Sequence, residues 1–256
     1  NLNFGVMVQP QQSKYIQDYQ GVHVDTVRNV VNVSPTLDFR YRFSKMSNLR
    51  INYRGTTSQP SISQLLDITD NSDPLNISMG NPGLKPSFTQ NFRLFYNNFV
   101  QNHNKGIMTF VNFSTTNNSI SNKVTYDETT GGRITRPENI NGNWNAMGAF
   151  MFNCSIDSAG VWNINTGAHA NYNNYVSYLS LDKKSDSQKN TTRSITWRQN
   201  LSLSYRNDWA EFSLDGTLTY NKAKNKLQPT SNLETWQFSY GPSMTLTAPW
   251  GTSLNT

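Results

Sequence analysis

Apolar and polar residues alternate with a period of two along this chain, segment after segment, and nothing else in it restricts the fold so strongly. Neighbouring side chains of a strand point to opposite faces, so such a segment has one greasy face and one wet one. Ten segments carry the pattern. The first is Leu2, Phe4, Val6 and Val8; the second is Leu37, Phe39, Tyr41 and Phe43, interleaved with Thr36, Asp38, Arg40 and Arg42. The third sets Leu49, Ile51 and Tyr53 against Arg50, Asn52 and Arg54, and the fourth sets Phe92, Leu94 and Tyr96 against Asn91 and Arg93. The fifth, from Ile107 to Phe113, is apolar on both faces. The sixth carries Trp144, Ala146, Gly148, Phe150 and Phe152, and the seventh Trp162, Ile164, Ala168, Ala170 and Tyr172 against Asn163, Asn165, His169 and Asn171. The eighth sets Ile195, Trp197, Leu201, Leu203 and Tyr205 against Arg198, Asn200 and Arg206; the ninth has Phe212, Leu214, Leu218 and Tyr220, and the tenth Trp236, Phe238, Tyr240, Met244 and Leu246. Helical periodicity is scarce. The most apolar run, AMGAFMF at 146–152, falls far short of the roughly 20 residues of a membrane helix.

The connections alternate in length. Short ones fall near 44–48, 97–106, 157–160 and 206–210, and long ones near 10–29, 55–87, 117–140, 174–194 and 221–234. Successive turns of an up-and-down barrel emerge at opposite rims, and outer-membrane barrels have short periplasmic turns and long extracellular loops. The aromatic residues fit the same frame. Trp144, Tyr172, Trp197, Tyr220 and Trp236 fall at the outer ends of the apolar faces, and Tyr41, Phe43, Tyr96, Trp162, Tyr205 and Phe212 at the inner ends. Two aromatic girdles around an aliphatic band are what rings at headgroup level produce. The expectation is an all-β, transmembrane, antiparallel up-and-down β-barrel, with residues 1–256 supplying about ten strands of one larger barrel domain. A soluble β-sandwich also alternates, but it predicts turns of similar length at both ends.

Composition narrows the function. Hydrophobic residues are 35%, charged residues 15% and aromatic residues 12%, so the chain is polar without being charged and too aromatic for a disordered one. A single cysteine, Cys154, excludes an internal disulfide framework and a multi-thiolate metal site; it falls in phase with the apolar face as a small hydrophobe. The net charge of +6 is scattered, which argues against a nucleic-acid partner. The chain opens on NLNFGVMVQP, with neither an initiator Met nor a signal peptide, as a mature or internal fragment does. The lipid bilayer and lipopolysaccharide are its expected surroundings, in the outer membrane of a Gram-negative bacterium.

The connection at 55–87 reads GTTSQPSISQLLDITDNSDPLNISMGNPGLKPS and leads directly into SFTQNFRLFYNN. Tyr53, Arg54, Pro60, Ser61, Gln64, Leu65, Asn81, Pro82, Leu84, Lys85, Pro86 and Ser87 form a phrase that resembles the barrel region of TonB-dependent transporters, specifically the Bacteroidetes outer-membrane β-barrel family. The resemblance implies a 22-stranded barrel filled by an N-terminal plug domain, powered by an inner-membrane energy-coupling complex and importing a scarce nutrient; a surface lipoprotein is a further candidate partner. In the GNPGLKPS phrase, Pro82 and Pro86 fix φ and Gly80 and Gly83 permit tight bends. Asn81, Pro82, Leu84, Lys85 and Pro86 are therefore expected to shape a rigid loop and not to bind ligand.

Strand parity puts Arg40, Arg42, Arg50, Arg54, Arg93, Arg198 and Arg206 opposite the apolar faces, hence in the lumen. They are expected either to guide an anionic ligand, or to grip a plug, or simply to pair with lumenal acids such as Asp38 and Asp215. The acidic stretch Asp67, Asp70, Asp73 lacks the glycine and closing glutamate of a hand-type calcium loop. His23, His103 and His169 have no metal-ligand spacing; the first two are expected in connections and the third in the lumen. Asn117, Asn118, Asn173 and Asn174, with Tyr175 and Tyr178, are either solvated loop tips or amides and rings for a sugar or peptide. No nucleophile elbow or phosphate-binding glycine loop appears, and neither an enzymatic activity nor a cofactor or metal is expected. The function read from this is an outer-membrane transporter or receptor for a nutrient ligand. The alternatives are a passive pore or assembly protein of the same membrane, and a soluble glycan-binding β-module.

Overall fold

The structure, a computed structural model, describes residues 1–19, 22–66, 69–70, 72–101, 104–127, 129–181, 185–247 and 253–255. Its fifteen strands are β1 (Leu2–Tyr19), β2 (Val22–Ser44), β3 (Ser47–Ser58), β4 (Thr69–Asp70), β5 (Asn76–Met79), β6 (Ser87–Val100), β7 (Lys105–Asn117), β8 (Ser119–Tyr126), β9 (Arg133–Ile140), β10 (Asn143–Ser155), β11 (Trp162–Leu179), β12 (Gln188–Arg206), β13 (Ala210–Asn225), β14 (Leu233–Thr247) and β15 (Ser253–Asn255). Eleven of them form one sheet in the order β1-β2-β3-β6-β7-β10-β11-β12-β13-β14-β15. Every pairing in it is antiparallel. The ten alternating segments are its ten long strands.

Register turns the alternation into a continuous surface. Phe4 lies opposite Leu37, Leu37 opposite Tyr53, Tyr53 opposite Phe92, and Phe92 opposite Phe113. The row continues through Ala146, Tyr172 and Ile195. Nearer the short turns, Ile164, Leu203, Leu214 and Pro242 share the same face, and so does Cys154, opposite Ile164. Ring meets ring along the outer edge of this face: Tyr53–Phe92 at 4.7 Å between centroids, Phe92–Phe113 at 6.3 Å, Phe113–Trp144 at 6.0 Å, Trp144–Tyr172 at 4.9 Å and Tyr220–Trp236 at 4.3 Å. Tyr53, Phe92 and Phe113 extend the outer girdle beyond the five residues that the sequence placed there. Along the inner edge, Phe43 meets Tyr96, and Tyr205 meets Trp162 and Phe212. Trp197 and Tyr205, on one strand, are about 27 Å apart at the ordinary rise per residue, so a strand tilted by about 40° separates the two girdles by about 21 Å, slightly less than the apolar band of about 25 Å.

This face is not a packed core. Among the described residues, the buried apolar side chains are Leu84, Ile140, Val176 and Ala210, whereas Val111, Leu201 and Leu214 on the belt stay exposed. A soluble sandwich would bury that belt against a second sheet.

Several connections expected to be long loops are instead ladder. β1 and β2 pair all the way to Tyr19–Val22, β11 and β12 to Leu179–Gln188, and β12 and β13 to Thr192–Asn225. Past the outer girdle a strand no longer has lipid on one face and water on the other, so no regular alternation marks it, yet its backbone pairing continues. Pro10 is tolerated because β1 lies at the sheet edge. Pro35 sits where the β2–β3 ladder begins, beside the Thr36–Arg54 pair. The short connections hold tightly, Phe99 N donating to Met46 O at 3.1 Å and Ser155 Oγ to Asn163 Oδ1 at 2.7 Å.

Candidate ligand-handling site: the polar face and its loop platform

Opposite the belt, the sheet presents its wet face in cross-strand rows. From the short-turn rim outward, the first row runs Arg42, Asn48, Asn97, Met108, Met151; the next runs Arg40, Arg50, Phe95, Phe110, Ala149, His169, Arg198. Then come Asp38, Asn52, Arg93, Asn112, Met147, Asn171, and finally Thr36, Arg54, Asn91, Ser114, Asn145, Asn173. Three zones result. A cationic zone lies on β2, β3 and β6, an apolar zone of Phe95, Phe110, Met108, Met147, Ala149 and Met151 lies beside it, and amides and hydroxyls cover β11 to β14. The amides bond one another, Asn145 donating to Asn171 Oδ1 at 2.7 Å and also to Asn173.

The seven arginines all lie on the polar face, but only five come together. Arg40, Arg42, Arg50, Arg54 and Arg93 share three adjacent strands, while Arg198 and Arg206 stand on β12, with β7, β10 and β11 between. Pairing with lumenal acids holds for some of them. Arg40 makes a forked contact to Asp38, at 2.7 and 3.3 Å, and Asn52 also donates to that carboxylate. Arg206 pairs with Glu211 at 2.7 Å. Arg198 donates to Asn200 Oδ1 at 3.3 Å, not to Asp215, which accepts from Ser213 Oγ instead. Arg42, Arg50, Arg54 and Arg93 are exposed, and their side chains make no hydrogen bond or ion pair among the described residues.

At the rim of the long connections the loops form a platform. β5 joins β9 in parallel, β9 pairs with β8, and β4 with β5, as a four-stranded sheet. The GNPGLKPS phrase is its clamp. Asn81 Nδ2 donates to Pro137 O at 2.8 Å, and its Oδ1 accepts from Gly83 N at 2.9 Å and from the Arg136 guanidinium at 3.2 Å. Lys85 and Asn139 exchange two bonds, Lys85 N to Asn139 Oδ1 at 2.8 Å and Asn139 Nδ2 to Lys85 O at 3.0 Å. Leu84 is buried, Pro82 is exposed, and Asn118 donates to Pro86 O at 3.4 Å. Gly80 serves a close approach to α1 (Ile62–Leu65), since a Cβ there would lie 1.6 Å from Leu66 O; the bend expected of it is not the constraint. The β11–β12 tip is bound in as well: Val124 N donates to Ser187 Oγ, Tyr126 N to Asp186, and Tyr178 OH to Glu138.

Of the remaining candidates, Asp67 and His103 lie outside the described residues. Asp73 serves its own turn; the amide of Asn76 and the N–H of Leu75 hold its carboxyl below the usual carboxylate range. Among the described residues no group of three or more His, Cys, Asp and Glu is placed to hold a metal. His23 sits in a strand, bonded to Asp18, and not in a connection. His169 is on the polar face, opposite Arg198. Asn173, Asn174 and Tyr175 line a pocket with Ser114, Asn143 and Asn145, whereas Asn118 and Tyr178 are used by the platform. Sequence reasoning missed Arg136 and Asn139, which bond to the clamp, and Glu138 and Ser187, which tie in the β11–β12 tip, because a polar residue in a polar stretch carries no periodic signal.

A family model described as "Outer membrane protein beta-barrel family" matches residues 12–253. The search of curated proteins finds no match.

Proposed function

Because the chain belongs to the outer membrane protein beta-barrel family, it is a β-barrel protein of the outer membrane, and we propose that it works there as a transporter or receptor of the TonB-dependent type, capturing a nutrient ligand on its loop platform and passing it along the polar face. The observation that carries the reading is the clamp: the phrase that resembles such transporters is the one whose Asn81, Leu84 and Lys85 fix the platform to the barrel. A fixed platform over a polar wall suits capture followed by passage. On this reading residues 1–256 belong to one larger barrel domain, whose lumen a plug fills and an energy-coupling complex opens, with a surface lipoprotein as partner and no catalytic step.

A passive pore would share the belt and the girdles but not the plug. Planar-bilayer recording on the natural full-length protein separates the two. The untreated transporter is expected to be silent, with conductance appearing only when mild denaturant displaces a plug. Steady ohmic conductance from untreated protein would overturn uptake and favour the pore.

A further inference from the structure

The cationic zone has a property that barrel membership does not require. From β1 through β10 the polar face of the sheet carries one carboxylate, Asp38, against six guanidiniums on β2, β3 and β6: the five of the cationic zone, and Arg28 further out on β2, which donates to Gln59 Oε1 at 3.3 Å. Asp38 is already held by Arg40 and Asn52. Arg42, Arg50, Arg54 and Arg93 make no ion pair among the described residues. Arg40 and Arg50 stand directly opposite each other across the β2–β3 ladder, and like charges in that position are destabilising unless something neutralises them. Guanidinium groups present forked donors that match carboxylate, sulfate or phosphate oxygens.

Beside these charges lies apolar surface on the wrong side of the sheet. Phe95 is opposite Arg50 on one side and Phe110 on the other, and Met108 is opposite Met151. Met151 is 52% exposed and Met108 38%. Exposed thioethers beside half-buried rings on a wet wall are costly alone, and Met adapts to irregular apolar partners. The amide-rich zone on β11 to β14 shows neither feature.

We propose that this sector, resting on the uptake reading above, binds an amphiphilic anion: a solute whose sulfate, phosphate or carboxylate group is gripped by Arg50, Arg93 and their neighbours while its apolar body lies on Phe95, Phe110 and the methionines. Charge complementarity selects the head, and the adjoining apolar patch selects the body. Phosphate, sulfate and carboxylate heads share this chemistry. The competing occupant is an acidic segment of the protein itself.

The test titrates the full-length protein, in nanodiscs of neutral phosphatidylcholine, with naphthalene-2-sulfonate by calorimetry, using inorganic sulfate and 2-naphthol as comparators. Binding of the sulfonate is expected to be at least tenfold tighter than that of either comparator. It should weaken at least tenfold in R50Q/R93Q, several-fold in F95S, partly in R50K/R93K, and not at all in K105Q, which removes a cation from outside the sector. Every variant should keep the heat-modifiable mobility of a folded barrel. Equal affinity in wild type and R50Q/R93Q overturns the proposal, as does inorganic sulfate binding as tightly as the sulfonate. Absence of binding to wild type also overturns it; if R50Q/R93Q then exposes a new protease-sensitive segment, the arginines hold the protein's own acids. A silent barrel that binds no sulfonate keeps the uptake reading and removes this one, and steady conductance with arginine-dependent binding does the reverse.

Discussion

Gly80 shows how much the platform owes to one absent carbon. Its backbone lies against α1, with Asn81 N donating to Gln64 O at 2.6 Å, and a Cβ would meet Leu66 O at 1.6 Å. Gly80→Ala is expected to push the two backbones apart and to cost the platform about 1–3 kcal/mol. New proteolytic cuts within 59–86, with heat-modifiable mobility retained, are the readout; an unchanged digest would show that the loop yields freely. Asp157 makes a pH-dependent contribution at the other rim. The N–H groups of Trp162 and Val161 hold its carboxyl below the usual carboxylate range. A depressed folded-state pKa stabilises above the unfolded-state pKa, and that stabilisation is lost as pH falls through the folded-state value. Asp157→Asn is therefore expected to destabilise the barrel at neutral pH, with the gap to wild type closing on acidification below about pH 4; urea unfolding across that range measures it, and a gap that widens would contradict the assignment.

Within a single element, the two faces of β12 make opposite demands. Leu201 belongs to the belt, opposite Thr166 and Gly216, while Ser202 faces the other way, between Asn165 and Asp215. Leu201→Arg is expected to cost about 2–4 kcal/mol in a folded barrel, because a charge at the midplane of the lipid face has no partner. Ser202→Arg, one residue along, should stay within about 0.5 kcal/mol. Denaturant titration in lipid vesicles gives both values, and equal costs would mean that the faces are misassigned. The same asymmetry explains what the sequence made legible. Between the girdles each strand meets two solvents, so Leu201, Leu203 and Tyr205 alternate visibly with Ser202 and Ser204. Beyond them β12 continues through Asn190 and Thr192 with polar residues on both faces, Asn190 buried and accepting from Leu227 N, and the reading stopped near Ile195 for lack of contrast. The eight-residue strands β8 and β9 were illegible for that reason, and the cross-loop bonds of Asn139 because hydrogen-bond partners leave no spacing in a sequence. Arginine parity was readable residue by residue; the gathering of Arg40, Arg50 and Arg93 depended on which strands adjoin.

At the scale of the whole molecule, the question is what covers the edges of the sheet. β1 borders one end, and at the other β15 pairs only with Thr245–Thr247 of β14, so the rest of that edge has no partner among the described residues. Exposure on the belt rises accordingly. Phe4 on β1 is 74% exposed and Phe238 and Tyr240 on β14 are 70% and 75%, against 43% for Val111 and 51% for Leu201 in the interior. Proline in both border strands, Pro10 and Pro242, blunts them only locally. Lipid does not tolerate a row of unpaired backbone groups, so both edges of this sheet must be paired, on the reading proposed above with further strands, before it is a stable membrane structure. Residues 1–256 expressed alone and refolded into detergent or vesicles are therefore expected to give aggregates or edge-to-edge dimers without heat-modifiable mobility, whereas the natural full-length protein gives a heat-modifiable monomer. If the isolated 256 residues instead ran as a closed monomer with that mobility shift, β1 and β14 would have to pair with each other, and the larger barrel, with the plug its width calls for, would give way to a narrow ten-stranded pore.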